Sequence, residues 1–140
     1  MDLEVKKLDP RAKLPGYAYE DDAGLDLYAI EDVTVPARGR VMITTGLSVA
    51  VPRGYVGLVW DRSSLPARAG IHLLAGVIDS GFRGEFKLVI LNTSDQDYKI
   101  TAGDKVAQFL IQPVAHVDVL EVSKLPPSER GAGSFGSSGK

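Results

Sequence analysis

The feature that most constrains this chain is the shortness of its apolar runs, each of which ends within a few residues at a glycine, proline, asparagine or aspartate turn. The longest, residues 41–51, reads Val-Met-Ile-Thr-Thr-Gly-Leu-Ser-Val-Ala-Val and keeps Val41, Ile43, Leu47, Val49 and Val51 on one parity, which is strand periodicity. Shorter runs follow at 33–35, 55–60, 71–75, 86–91, 106–111 and 117–122. Turn chemistry separates them at Pro36-Ala37-Arg38-Gly39, Pro52-Arg53-Gly54, Asn92-Thr93-Ser94-Asp95 and Ala102-Gly103-Asp104. No window of helical length carries the 3.6 period. The one helical expectation is a turn or two over 63–69, with Ser63 or Ser64 as cap and Pro66 in the first turn. Many short strands of this kind predict an all-β sandwich or barrel.

With 140 residues the chain fits one domain and one core. The run Leu88-Val89-Ile90-Leu91 is apolar on both parities. Such a strand is covered on both faces, either by a second sheet or by a partner subunit. After Leu125 the composition changes to Pro, Ser and Gly, with Arg130 and Phe135 standing among small residues. Residues 1–125 are therefore expected to form the folded body. Residues 126–140 are read as a flexible tail, in one reading a plain terminus and in another a lid whose Arg binds an anion and whose Phe stacks on a ring.

The composition excludes several function classes. A net charge of −2 supplies no general field for nucleic acid or an anionic membrane, so an anion site must be built locally. Cysteine is absent, which removes thiolate metal sites, disulfides and cysteine nucleophiles. His72 and His116 stand far apart and read as ordinary strand or loop residues. The start Met1-Asp2-Leu3-Glu4-Val5-Lys6-Lys7 lacks the pattern of a secretory signal, and no apolar stretch approaches the roughly 20 residues needed to cross a bilayer. A cytoplasmic protein is the expectation.

Three segments concentrate polar chemistry. Asp61-Arg62-Ser63-Ser64-Leu65-Pro66 offers a guanidinium, two hydroxyls and the free N–H groups of a short helix start, which suit phosphate; a capped helix start looks the same. Gly76-Val77-Ile78-Asp79-Ser80-Gly81-Phe82-Arg83-Gly84-Glu85 puts an acid on an apolar strand and an aromatic three residues later. That acid is either a turn residue or a general base for water. Ala23-Gly24-Leu25-Asp26-Leu27-Tyr28-Ala29 again holds a single acid between apolar neighbours.

In order and wording these segments resemble the first three motifs of the trimeric dUTPase family. Gly103-Asp104-Lys105-Val106-Ala107-Gln108-Phe109-Leu110-Ile111 resembles the fourth. Arg130-Gly131-Ala132-Gly133-Ser134-Phe135-Gly136-Ser137-Ser138-Gly139 resembles the fifth. The resemblance runs from about residue 23 to the end. It implies a distorted jelly-roll-like β-barrel or sandwich with one short helix, and a homotrimer whose three sites are each built from all three subunits. It also implies hydrolysis of dUTP to dUMP and pyrophosphate with Mg²⁺, keeping uracil out of DNA and supplying dUMP for dTMP synthesis.

By the same resemblance Asp79 orients and deprotonates the attacking water, Phe82 packs under the deoxyribose, and the backbone of Gly76, Val77, Ile78 and Asp79 reads the uracil edge. Arg62, Ser63, Ser64 and Gln108 match phosphate contacts, and Lys87 is counted with the substrate-binding residues. Asp26 acts indirectly through waters around Mg²⁺, which sits mainly on the triphosphate. Arg130 would hold the γ-phosphate and Phe135 would stack over uracil as the tail, residues 126–140, closes over the body.

Three positions depart from the commonest family wording: Phe82 stands for Tyr, Ser64 for Gly, and Asp61 for Pro. The homologous dCTP deaminases share a similar Ile-Asp hairpin, but alignment on Ile78-Asp79 puts Val89 where they carry a catalytic Glu. A non-catalytic nucleotide-binding trimer is the other alternative. Retention of Asp26, Asp79, Gln108, Arg130 and Phe135 together speaks against it, since a scaffold needs none of them.

Overall fold

A computed structural model describes residues 1–134 of the chain. Ten strands and one short helix follow in the order β1 (Glu4–Lys7), β2 (Leu25–Tyr28), β3 (Val33–Val35), β4 (Arg40–Ala50), β5 (Tyr55–Trp60), α1 (Ser64–Ala69), β6 (Ile71–Leu74), β7 (Val77–Ile78), β8 (Glu85–Asn92), β9 (Tyr98–Ile100) and β10 (Lys105–Pro113). They form two four-stranded antiparallel sheets, β1-β4-β8-β6 and β2-β10-β5-β7, with β3 and β9 paired as a separate ribbon. The result is the expected all-β architecture with one short helix. Its sheets remain open, so the sandwich describes it and a closed barrel does not.

Alternation explains which face of each strand turns inward. Phe86, Leu88, Ile90 and Asn92 of β8 are buried, as are Ile43, Leu47 and Val49 of β4. They meet Leu27, Val59 and Phe109 of the other sheet in one core. Phe86 and Phe109 touch edge to face across the sandwich, with ring centroids 5.1 Å apart, a geometry aromatic pairs favour. Gly57 is required beneath them, because a Cβ there would lie 2.5 Å from the Phe109 ring. On the second parity of β8, Val89 and Leu91 are only half-buried. The doubly apolar strand therefore sits centrally in its sheet, with one face still open in the single chain.

Two sequence expectations are corrected. Residues 117–122 form no strand: Val117, Val119 and Leu120 are 78%, 95% and 81% exposed. Their alternation is real, but no strand among the described residues pairs with them, and strands need a ladder. The helix has the expected position with Pro66 in its first turn, yet Ser63 at its N-cap has helical dihedrals (φ −49°, ψ −31°) and makes no capping bond. A capping side chain reaches back only from extended backbone. The other end does follow convention, closing on left-handed Gly70, whose carbonyl accepts bonds from the Thr93 N–H and hydroxyl.

Candidate active site

The second sheet lines up one group of polar residues. Register places Gln108 of β10 opposite Asp26 of β2 on one side and Trp60 of β5 on the other. These side chains share the face turned away from the Val59–Phe109 core, because successive residues of a strand point to opposite faces. Gly24 keeps room for the glutamine, as a Cβ there would lie 3.0 Å from Gln108 Cβ and 3.2 Å from its Oε1.

Asp26 is the electrostatic pivot of this group. It is 4% exposed, and an unpaired carboxylate at that depth would be costly. Lys105 pairs with one of its oxygens, and Arg62 Nε lies 3.2 Å from the other. That Nε is buried without an aligned acceptor, so the Arg62 contact is an ion pair rather than a directed hydrogen bond. Its Nη1 lies 3.5 Å from the Lys105 carbonyl. Two cations thus surround the Asp26 carboxylate. A hollow of about 410 Å³, lined by Arg62, Ser64, Gly103 and Lys105, opens beside them.

The hydrogen bond to Asp26 raises the Lys105 ammonium above its ordinary value of 10.5. A raised lysine stabilises the fold fully below its unfolded pKa and loses that contribution only as pH rises through the raised value. Melting curves of the parent and Lys105→Met are therefore expected to keep a constant separation between about pH 6 and 9. The gap should narrow above about pH 10.5. A gap that closes already at neutral pH would contradict this assignment.

The hairpin residues form a second group elsewhere. Ala75 and Gly76 take positive φ of 64° and 126°, and the Gly76 carbonyl accepts the Val59 N–H at 2.8 Å. Any Cβ at Gly76 would lie 2.5 Å from the Val59 carbonyl oxygen, which makes glycine obligatory in that turn. A cavity of about 200 Å³ lies here, with Gly76, Val77, Ile78 and Lys87 in its wall. Beyond it Asp79 is exposed, and its carboxylate has no hydrogen bond or ion pair among the described residues. Phe82 lies across Gly84, where a Cβ would meet the ring at 2.6 Å, and is 40% exposed. The Arg83 guanidinium braces the turn by donating to the carbonyls of Ser80 and Phe82 at 2.8 and 2.7 Å.

The two groups do not meet within one chain. Val77 and Ile78 pair with Leu58 and Gly57, so Asp79 falls about 13 Å along the strands from the Asp26–Gln108–Trp60 row. It is also three strand spacings, about 14 Å, from Asp26. Arg62 and Gln108 thus lie beside Asp26, with Ser64 in the wall of the hollow and Ser63 between Arg62 and Ser64 in the chain, whereas Gly76, Val77, Ile78, Asp79, Phe82 and Lys87 gather at the hairpin. Arg130 belongs to neither: it is exposed and, among the described residues, donates only to the Gly133 carbonyl at 3.0 Å. Phe135 lies outside the described residues. Sequence reasoning assigned no role to Lys105, although it stands in the quoted fourth segment, and it treated Asp61 only as a departure. Asp61 accepts the Leu73 N–H at 2.7 Å and contacts His72 Nδ1.

No group of three or more His, Asp or Glu side chains among the described residues is placed to hold a metal ion. The lone buried acid, Asp26, already has a cation on each oxygen. This donor set suits a cation delivered on a polyanionic ligand better than one caged by protein.

Comparison with known proteins brings both groups into one frame. A family model described as dUTPase matches residues 10–139. The deoxyuridine 5'-triphosphate nucleotidohydrolase of Paramecium bursaria Chlorella virus 1 is 45% identical over 137 residues, covering 98% of this chain and 97% of that protein. That of Candida albicans is 41% identical over 140 residues, covering 99% and 88%. Among solved structures, the Staphylococcus bacteriophage 80alpha dUTPase with dUpNHpp superposes with a TM-score of 0.95 at 28% identity over 99% of each chain. A D95N dUTPase of S. aureus phage phi11, described as coordinating a structural Mg(II) ion, gives 0.84 at 27% identity over 89% of this chain and 98% of that one. With the family match running through both groups of residues and whole-length relatives above 40% identity, the chain belongs to the dUTPase family of nucleotide hydrolases.

Proposed function

We propose that this protein hydrolyses dUTP to dUMP and pyrophosphate as a homotrimer, each site joining the Asp26 group of one subunit to the Asp79 hairpin of another. The observation that carries this reading is the separation just described. A water activated by Asp79 must lie within hydrogen-bond reach of it and in line with a phosphorus held near Arg62 and Gln108, a pair of conditions that groups well over 10 Å apart in one chain do not meet. Exposed apolar residues support assembly: Val77 is 68% exposed, and Val117, Val119 and Leu120 in the segment after β10 have no cover. The half-open face of β8 adds to them.

Each group suits its part. Arg62 supplies a planar donor array and Ser63, Ser64 and Gln108 supply neutral donors for phosphate oxygens. Lys105 and Arg62 both line the hollow and offer cationic donors there. The hairpin cavity falls below the roughly 300–1,000 Å³ typical of pockets for larger ligands, which suits a single pyrimidine ring. Backbone groups of Gly76, Val77, Ile78 and Asp79 offer the polar edge for uracil, rigid walls exclude a 5-methyl group, and mismatched buried hydrogen bonds reject cytosine. Phe82 offers its ring as the floor for a deoxyribose, with no space for a 2′-hydroxyl, and Lys87 stands in the cavity wall.

In the reaction Asp79 accepts a proton from water as its oxygen bonds the α-phosphorus. The bond from that phosphorus to the α–β bridging oxygen breaks, and pyrophosphate leaves with the electron pair. Mg²⁺ bound to the triphosphate would neutralise charge that develops on its oxygens; Asp26 would meet that ion through water. Arg130 and Phe135 would close over the γ-phosphate and the base with the tail, residues 126–140, excluding bulk water. In the cytoplasm such an enzyme keeps uracil out of DNA and supplies dUMP for dTMP synthesis. No helix among the described residues is long and apolar enough to cross a membrane. Pyrophosphate release from dUTP in the presence of Mg²⁺ tests the proposal.

A further inference from the structure

The phosphate-side residues Arg62, Ser63 and Ser64 open a loop that runs from the end of β5 to the start of β6. Inside the loop, packing is limited to half-buried Leu65 and Ala69 against the core. Its six-residue helix buries no residue and lacks a side-chain cap, and helices this short have no independent stability. Its internal bonds are local, such as Leu65 N–H to the Arg62 carbonyl at 2.9 Å and Ala67 N–H to the Ser63 carbonyl at 3.3 Å. The far end is fastened by Thr93 to Gly70. The near end is fastened by Asp61.

Asp61 spans the neck of this loop. One carboxylate oxygen takes the Leu73 N–H at 2.7 Å and the other contacts His72 Nδ1, so a residue at the end of β5 grips a strand eleven and twelve residues later. β6 is the edge strand of the first sheet, and an edge leaves outward N–H groups for such use. The grip links the edge of one sheet to the end of a strand in the other, immediately beside Arg62. Asp61 also stands where the family resemblance has proline, which would stiffen the same point through its ring. Here the side chain does it.

We propose that Asp61 is a positioning residue for the phosphate-binding loop: through Leu73 and His72 it holds Arg62 where the guanidinium meets both Asp26 and the nucleotide phosphates. This rests on the dUTP reading above for the identity of the ligand, while the tether itself does not. Loss of the tether leaves the chemistry at Asp79 untouched and lowers the fraction of time Arg62 is in place, so binding suffers more than turnover.

The test compares the full-length parent with Asp61→Ala, Asp61→Asn, Arg62→Ala and the Asp61→Ala/Arg62→Ala pair. Asp61→Ala is expected to raise KM for dUTP about tenfold with kcat within about threefold. Asp61→Asn, which keeps an acceptor for the Leu73 N–H, should restore KM to within about twofold. In the Arg62→Ala background Asp61→Ala should add little further loss, since the residue it positions is gone. Hydrogen exchange reads the tether without substrate: the amides of Leu65 and Ala67 should exchange faster in Asp61→Ala, while β8 amides stay as in the parent. Unchanged loop exchange, an unchanged KM in a folded Asp61→Ala, or an equal loss with and without Arg62 would each overturn the proposal. A parent inactive on dUTP would overturn the functional reading instead, and the exchange result would still decide the tether.

Discussion

Asp79→Asn is expected to lower kcat for dUTP by about 10²–10⁴-fold, the range that a positioned general base contributes, while the Kd for dUpNHpp stays within about threefold of the parent. The substitution keeps the shape of the side chain and removes only its capacity to accept a proton. The fold should tolerate it, because the Asp79 carboxylate is exposed and has no hydrogen bond or ion pair among the described residues. Such surface positions usually change stability by about 0.5 kcal/mol or less. Single-turnover kinetics paired with calorimetric binding of dUpNHpp separates the two effects. Full turnover in the variant would mean that another group takes the proton.

The second large effect concerns assembly. Arg62→Ala and Asp79→Asn damage different halves of the proposed site, and each alone should reduce activity to a small residue. If every site draws its phosphate half and its hairpin half from different subunits, co-expression of the two variants in equal amounts restores about one site in four. An intact site needs Arg62 from an Asp79→Asn subunit and Asp79 from an Arg62→Ala subunit, each with a chance of about one half. The check is the specific activity of mixed trimers isolated through two different tags, in which the inactive homotrimers are removed and about one site in three should be intact. Sites made within one chain predict no recovery, since every chain then carries a damaged site. The effect is large because the comparison is between near-zero and a substantial fraction.

What the sequence could reveal follows from the range of the interactions involved. Period-2 runs and turn residues are local, so β3 and β5 fall on their expected bounds and β4, β6, β8 and β10 within a residue or two. β1, β2 and β9 span only three or four residues, too few for alternation to stand out. The segment at 117–122 shows the opposite failure. Its alternation is clear, yet pairing is a property of two strands, and no other strand among the described residues pairs with this segment. Helix position was legible from Pro66 and the serines, whereas the absent cap depends on the dihedrals of Ser63, which no residue pattern specifies.

The site divides in the same way. Asp26, Arg62, Gln108, Asp79 and Phe82 stand out as candidates in the sequence because the family resemblance runs through contiguous segments. Lys105 was not singled out: its partner Asp26 is far away in the chain, and only the pairing of β10 with β2 brings them together. Asp61 looked like a departure from proline until its carboxylate was seen to hold Leu73 and His72. The division of the candidate residues into two groups is also a matter of register, through the pairing of Val77 and Ile78 with Leu58 and Gly57.

The central claim is hydrolysis of dUTP with selection for both base and sugar. It is tested most directly by following pyrophosphate release with Mg²⁺ from dUTP, dTTP, dCTP and UTP in parallel, with ammonia monitored in the dCTP reaction. The account predicts release from dUTP alone. Ammonia from dCTP, or no release from any of the four, would contradict it.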